Sequence, residues 1–326
     1  FVYVLTKQCR TLFNLTNFLT LRFFKFFSLF DDGAKRYKKI RETAMESTII
    51  QLGLSIFTEK SHEYTAETYN FYLCPRSFGS LDKRFLCQAS SLEFLSRHHF
   101  DFQKTYSQGI SFMNNTEKDR IQNEIQRGFL IKALERNLSH DEEDEITEIC
   151  QHLGTHPNAE FDITNFSLNA ICVLNQEIRS RFPNLKCTYD KINAKFYVKN
   201  EDFEDDDDPT ETLIIEAFGF SRIIQEIISC QKVIVGHNCF SDLVRIYQNF
   251  IDDLPLNYLE FKKFLHVTFP DIYDTKHVAF VVKRLLRNTE LDEHTENMFW
   301  STSLNELFKN ISSDDNSAWI NFHVSF

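Results

Sequence analysis

Apolar and polar positions divide the chain into stretches of distinct period. Thr48–Phe57 is β-branched and alternates over its second half, which predicts a strand; Thr68–Leu73, closed by Pro75, predicts a second, with Glu59–Glu63 as the polar hairpin loop between them. Asp31-Asp32-Gly33 sets acidic caps ahead of a basic helix-prone stretch, Ala34–Met45. Ser90–Arg97 predicts a helix, and Thr116–Arg136, rich in i, i+4 charge pairs, predicts one long helix. Ser167–Phe182 places Leu168, Ile171, Leu174, Ile178 and Phe182 on one face, and the short strands Leu185–Tyr189 and Lys195–Val198 follow around a turn at Asp190–Ala194. Phe220–Cys230 is helical with Ile223, Ile224, Ile227 and Ile228 on one side. Val233-Ile234-Val235 is wholly apolar, as in a strand buried on both faces. Helix Phe240–Phe250 comes next, with Leu243, Ile246, Tyr247 and Phe250 in register. Helix, buried strand, helix is an α/β signature.

Composition narrows the class. A chain of 326 residues can bury one large core with an inserted module, or form two domains, and its 42% apolar and 25% charged residues are those of a soluble globular protein. Only six Pro and eight Gly argue against a turn-rich all-β fold. The net charge of −11 excludes a general attraction to nucleic acid or anionic lipid, so any RNA contact must come from local basic clusters. One such cluster is Lys35, Arg36, Lys38, Lys39 and Arg41, for which a solvated helix face is the plainer reading. Eight cysteines without a C-x-x-C pair point to reduced thiols in an intracellular protein, not to zinc or a disulfide scaffold. Residues 1–30 are apolar and basic and contain no Asp or Glu; Arg22 and Lys25 interrupt them before the ~18 residues that a membrane span needs. A chain that begins with Phe1 is expected to be a fragment. The acidic run Glu201–Asp208 before Pro209 reads as a solvated loop, because adjacent like charges repel.

The sharpest local constellation is Gly236-His237-Asn238 after the apolar strand, with Asp242 in or near the first turn of the next helix. Ligand sites in α/β sheets lie beyond the carboxyl ends of strands, so Asp242 is placed to reach a metal. It would equally complement the helix N-terminus, worth about 0.3–1 kcal/mol. A turn histidine such as His237 more often serves the backbone than a metal.

The run Val233–Asp242 resembles the central block of nucleases of the poly(A)-specific ribonuclease (PARN) type, in the DEDD deadenylase family. A second block, Phe269–Lys276, contains Asp274. Gln51–Leu54, Asn70–Pro75, Phe85–Ser91, Phe100–Phe102 and Gly219–Arg222 fit in the same order, over roughly residues 28–310. Ser28–Asp31 and Phe78–Asp82 are most similar to the PARN-like pre-piRNA trimmer branch.

The resemblance implies an α/β fold: an RNase H-like mixed sheet flanked by helices, with an inserted small α/β module of nucleic-acid-binding type. It divides the chain into a non-matching leader (1–30), an N-terminal half of the nuclease core (31–138), the module and acidic loop (139–209), and a C-terminal half (210–326). Its chemistry is two-metal hydrolysis at RNA 3′ ends, poly(A) or small-RNA precursors, with two Mg²⁺ ions about 3.5–4 Å apart held by four carboxylates. Of those four only Asp242 has a matching position; His237, Asn238 and Asp274 are carried over as substrate-positioning residues, with Asp274 a sheet-end residue and not a metal ligand. The Asp-x-Glu pair expected on a first strand upstream of Ser28 is missing, as is the late His/Asp block; Asp292, Glu293, Asp314 and Asp315 stand in stretches that read as loop. The core is therefore expected to be incomplete, with a vacant central strand, and this chain to be inactive. The module's Arg-x-x-x-His pair is also missing, since Pro183 stands four residues after Arg179. The resemblance further implies RNA as partner and no DNA, a homodimer, and a place in the nucleus or cytoplasm, or at an organelle membrane through an anchor that these residues lack. The alternative is a pseudo-nuclease that keeps the fold as an RNA-binding or partner-docking scaffold.

Overall fold

A computed structural model describes residues 2–4, 31–60, 63–190, 192–199, 209–286 and 301–311. The bulk of the leader, the acidic loop at 201–208, and Asp292, Glu293, Asp314 and Asp315 lie outside the described residues. The strands are β1 (Val2–Val4), β2 (Gln51–Lys60), β3 (Glu63–Tyr72), β4 (Ala159–Asp162), β5 (Lys186–Asp190), β6 (Lys195–Lys199), β7 (Ile234–Gly236) and β8 (Ile272–Asp274). The helices are α1 (Gly33–Glu46), α2 (Ala89–Arg97), α3 (Phe102–Gln108), α4 (Asn115–Gln126), α5 (Leu130–Glu135), α6 (His140–Leu153), α7 (Leu168–Arg181), α8 (Pro209–Phe218), α9 (Ser221–Cys230), α10 (Phe240–Ile246), α11 (Tyr258–Thr268), α12 (Thr275–Leu286) and α13 (Leu304–Ile311). The protein is a mixed α/β structure. It divides into two compact units, one of Phe1–Cys74, Phe85–Ile110 and Ile223–Phe326, the other of Pro75–Arg84 and Ser111–Arg222.

The first unit is built on a five-stranded sheet in the order β3-β2-β1-β7-β8. β2 and β3 form an antiparallel hairpin paired from Gln51↔Tyr72 to Lys60↔Glu63, so both strands run further into the expected loop than alternation indicates. Ser55 and Thr68, opposite each other, share a 2.8 Å hydroxyl hydrogen bond. The middle position of the sheet, expected to be vacant, is held by Val2–Val4 of the leader. β1 runs antiparallel to β2 and parallel to β7, with Val4 opposite Val235. Three apolar β-formers satisfy the ladder on both sides, but they bring no carboxylate into the centre of the sheet.

α1 is capped as its sequence predicts: Asp32 accepts the Lys35 N–H at 2.8 Å, and Asp31 pairs with Lys39 at 2.6 Å. Its buried face carries Tyr37, Ile40 and Ala44. Tyr37 stacks on Phe261 at 4.9 Å, and Phe240, Tyr247 and Tyr258 complete an aromatic cluster that joins α1, α10 and α11. Each such pair adds about 0.5–1.5 kcal/mol beyond the area it buries. The Tyr37 hydroxyl donates to the Pro255 carbonyl at 2.6 Å and Arg41 Nε to the Leu254 carbonyl at 3.1 Å. Lys39 and Arg41 are thus engaged inside the unit, while Lys35, Arg36 and Lys38 face solvent.

In the second unit the amphipathic helix α7 is the spine. Ala170, Ile171, Cys172, Val173, Leu174 and Ile178 are all buried, in one cluster with Ile146, Ile149, Leu153, Phe196 and Val198. The hairpin β5–β6 gains a third antiparallel strand, β4, on the far side of β6. The acidic stretch after Ser139 opens α6: Ser139 and Glu142 form a reciprocal capping box, and Asp141, Glu142 and Glu143 complement the helix N-terminus. Glu142 also accepts the Ser167 N–H at 2.8 Å, which fastens the start of α7 to the start of α6. The long helix expected over Thr116–Arg136 is two helices. Gly128 turns left-handed (φ +68°), its N–H reaching the Ile125 carbonyl and that of Phe129 the Glu124 carbonyl. That six-to-one bonding terminates α4 as a glycine C-cap, which charge pairs along the face do not reveal. No helix among the described residues is long and apolar enough to cross a membrane, and no disulfide joins the described cysteines.

Candidate functional site

β7 is three residues of buried parallel strand, with β1 on one side and β8 on the other. Its pairing sets Ile234 opposite Ile272, Val235 opposite Tyr273 and Gly236 opposite Asp274. The Gly-His-Asn turn and the Asp-Thr-Lys turn therefore leave the sheet side by side at its carboxyl edge, where α/β proteins build sites.

Asp274 ties the two turns together. Its carboxylate accepts the N–H groups of Asn238 at 2.8 Å and Cys239 at 3.0 Å from the neighbouring turn, and those of Lys276 at 2.9 Å and His277 at 3.4 Å from its own helix. Burial raises its pKa, but these four N–H groups outweigh it and hold the carboxyl below the ordinary aspartate range. Thr275 extends the tie: its hydroxyl donates to the Gly236 carbonyl at 3.1 Å and lies 3.0 Å from His237 Nδ1. His237 is buried at 8% exposure, bound to a side chain of the adjacent strand end, while Asn238 faces solvent. Asn238 adopts φ +56°, a left-handed conformation that asparagine tolerates better than most residues. Gly236 is required by close approach: a Cβ there would stand 2.5 Å from Cys239 Cβ. Burial pushes the Cys239 thiol up to about 12, helped by the charges of Asp274 and Asp242, so the thiol stays protonated at neutral pH.

Asp242 lies in the first turn of α10 and is 6% exposed. One turn on, Arg245 is 1% exposed, the largest fully buried side chain among the described residues. Its guanidinium folds back along the helix, as helical side chains do, so that Nη1 donates to the Ser241 carbonyl at 3.0 Å and to the Ser241 hydroxyl. Desolvation pulls the Arg245 pKa down to about 10 while the Asp242 charge supports the protonated form, so Arg245 is still a cation at neutral pH. Beyond α10 the helix widens into a π-turn over Tyr247–Ile251, and the helix expected over Phe240–Phe250 is thereby divided. Asn249 in this turn donates to the Arg245 carbonyl at 2.9 Å. A π-turn inside a helix is common next to functional sites.

The structure thus brings His237, Asn238 and Asp274 together and sets Asp242 on the adjoining helical turn. Sequence reading passed over Arg245, Thr275 and Cys239. Thr275 and Cys239 sit inside the matched blocks, while Arg245 stands at i+3 from Asp242, a spacing that would have flagged it. No group of three or more His, Cys, Asp or Glu among the described residues is arranged to hold a metal. Magnesium needs several converging oxygens. Here Asp274 is committed to main-chain N–H groups, β1 brings no carboxylate, and the cation of Arg245 is buried one turn on from Asp242. These residues do not fit a two-metal centre.

The sequence profile of the CAF1 family ribonucleases matches residues 27–325. The chain is similar to a pre-piRNA 3′-exonuclease trimmer of Bombyx mori, 30% identical over 285 residues, which cover 83% of this chain and 53% of that protein. It is similar to the poly(A)-specific ribonuclease PNLDC1 of Pongo abelii, 32% identical over 269 residues covering 77% and 51%. To the poly(A)-specific ribonuclease PARN of Xenopus laevis it is 28% identical over 304 residues, covering 81% and 47%. The chain spans about half the length of the curated relatives it matches. Trimmer-type and PARN-type ribonucleases both being among them, the resemblance drawn from the motif blocks holds.

Proposed function

We propose, because this chain belongs to the CAF1 ribonuclease family, that it engages RNA 3′ ends as a protein of the 3′→5′ exoribonuclease type, and that residues 1–326 alone bind such ends without cutting them. The observation that carries this reading is the carboxyl edge of the sheet. It keeps the Gly-His-Asn frame and one buried carboxylate, Asp242, while the central strand beside it is Val2–Val4. One carboxylate does not hold the paired divalent ions that the resemblance implies. In a protein whose remaining segments supply the missing acids, Asp242 would be a metal ligand, and His237, Asn238 and Asp274 would shape the floor under the terminal nucleotide. Main-chain rigidity there comes from the Asp274 tie. The sheet order, with one antiparallel hairpin and three parallel strands, supports an RNase H-like core. Within this proposal residues 139–209 are the inserted module, with a structural role, and the exposed Lys35, Arg36 and Lys38 are the local charges available to phosphates. Single-stranded 3′ tails, of poly(A) or of a small-RNA precursor, are the substrate class, and the setting is intracellular.

The test uses 5′-labelled RNA with a single-stranded 3′ tail, with Mg²⁺ or Mn²⁺ present. Fluorescence anisotropy is expected to report binding that weakens with salt, and denaturing gels no shortening, both unchanged in Asp242→Ala. Divalent-dependent shortening that Asp242→Ala abolishes would overturn the non-cutting half of the proposal. Absence of binding to any tailed RNA would overturn the other half. A second reading, a lasting non-catalytic scaffold, is favoured by one specific observation: a fully buried cation, Arg245, one helical turn from Asp242.

A further inference from the structure

We propose that the outer side of α4 in the second unit, with Phe129 beyond its end, is a ribonucleotide-binding cleft. The proposal goes beyond the reading above and does not depend on it, because no residue of the sheet edge enters it.

α4 has two unlike sides. Ile121 is fully buried and anchors the inner side in one cluster with Leu130 and Leu134. Asp119, Arg120, Asn123 and Arg127, spaced at three and four residues, line the outer side and are all exposed. The left-handed turn at Gly128 ends the helix, and the Phe129 N–H bonds back to the Glu124 carbonyl at 2.8 Å, which keeps Phe129 at the end of that stripe with 56% of its surface exposed. These side chains border a cleft of about 450 Å³, within the roughly 300–1,000 Å³ of small-ligand sites. Its mixed chemistry fits one class of ligand. Glu124 is committed to Ser80, whose N–H it accepts at 3.3 Å and whose hydroxyl it also binds; it stands 3.7 Å from Arg120 Nε and so steers that guanidinium along the stripe. The Arg127 guanidinium forms no ion pair among the described residues. The two arginines, about 10 Å apart along the helix axis at 1.5 Å per residue, are long enough to close on one phosphate between them, whose oxygens match the guanidinium fork. Phe129 offers a ring on which a base stacks, the Asn123 amide a donor and an acceptor for a base edge, and Asp119 an acceptor for a sugar hydroxyl. An inorganic anion would use the arginines alone and meet Asp119 as a repulsive neighbour. A ribonucleotide uses all five side chains. A free nucleotide and one residue of a single-stranded RNA present this same chemistry.

The experiment uses the whole chain. AMP, 2′-deoxy-AMP, inorganic phosphate and a short oligoadenylate are titrated by calorimetry, and 8-azido-AMP is photo-crosslinked so that mass spectrometry reads the labelled peptide. The label is expected within residues 116–130. Arg127→Ser and Phe129→Ser are each expected to weaken AMP about tenfold, and Asp119→Asn to remove the preference for AMP over its 2′-deoxy form. Gln122→Ser, exposed on α4 but outside the cleft, is expected to change nothing. An oligoadenylate that binds more tightly than AMP and is weakened by the same variants identifies RNA as the source; one that binds no better identifies the free nucleotide. Arg120→Ser takes the place of any variant that fails to fold. A label found only outside residues 116–130, AMP affinity unchanged in both Arg127→Ser and Phe129→Ser, a 2′-hydroxyl preference that survives Asp119→Asn, inorganic phosphate binding as tightly as AMP, or no AMP binding at millimolar concentration would each overturn the proposal.

Discussion

Replacing Asp274 by Ala removes the tie between the two turns and isolates its worth. The carboxylate accepts two N–H groups from the Gly-His-Asn turn, at 2.8 and 3.0 Å, and caps its own helix through Lys276 at 2.9 Å, with a weaker fourth contact to His277 at 3.4 Å. Hydrogen bonds to a charged group contribute about 1.5–3 kcal/mol each, and the half-buried position of Asp274 argues for the low end. An Asp-to-Ala change at a helix cap costs about 1 kcal/mol. Water can re-satisfy the N–H of the exposed Asn238 but reaches the buried Cys239 less readily, which brings the expected loss to about 3 kcal/mol. Denaturant unfolding should show it as a lower midpoint at unchanged slope. Native-state hydrogen exchange should show faster exchange at the amides of Asn238 and Cys239, with β2 and β3 following only the global change. The effect also carries a pH signature. Because the folded pKa is depressed, the stabilisation is fully present above the unfolded aspartate value of about 3.9 and is lost as pH falls through the lower folded value. The difference between wild type and Asp274→Ala should therefore shrink in acid and stay constant from about pH 5 to neutrality. A loss under about 1 kcal/mol at neutral pH, with unchanged exchange at residues 238 and 239, would refute the claim that Asp274 organises the site.

Two further predictions follow from close packing and burial. Gly219 has φ +44°, and a Cβ there would land on the Ser111 carbonyl, so Gly219→Ala should cost about 3 kcal/mol in denaturant unfolding; a cost below about 1 kcal/mol would show that this backbone can yield. Cys239, raised to about 12 by burial and flanking carboxylates, should resist alkylation in the folded protein at mildly alkaline pH and react only after denaturation, whereas the exposed Cys230 should label in the folded protein; mass spectrometry of the alkylated peptides decides it.

Elements set by their own residues were legible without the fold. Asp32 and Ser167 mark the starts of α1 and α7, the apolar face of α7 is its buried face, and Ile234-Val235 form the buried strand that their β-branching predicts. The blocks around Gly236 and Asp274 were equally legible, because a nuclease frame demands those residue types in that order. Elements that exist only through a neighbour were not. β4 and β8 are short strands with no period of their own, made by pairing with β6 and β7. The break at Gly128 depends on backbone geometry, and the π-turn at Tyr247–Ile251 on bonding across the turn. Nothing in Val2-Tyr3-Val4 distinguishes it from the rest of an apolar leader until β2 and β7 flank it.

The division in the site is sharper. Local sequence determined that a glycine, a histidine, an asparagine and two aspartates stand near strand ends, since residue type and spacing are properties of the chain itself. Tertiary structure alone decided what each of them does. The register Gly236↔Asp274 turns one aspartate into a fastener for its neighbour's main chain. Burial on α10 takes the charged side chains of Asp242 and Arg245 out of water, and Arg245 turns to the Ser241 carbonyl and hydroxyl instead. Hydrogen-bond partners and solvent exposure are relations between distant segments, and the sequence carries them only through the folded sheet.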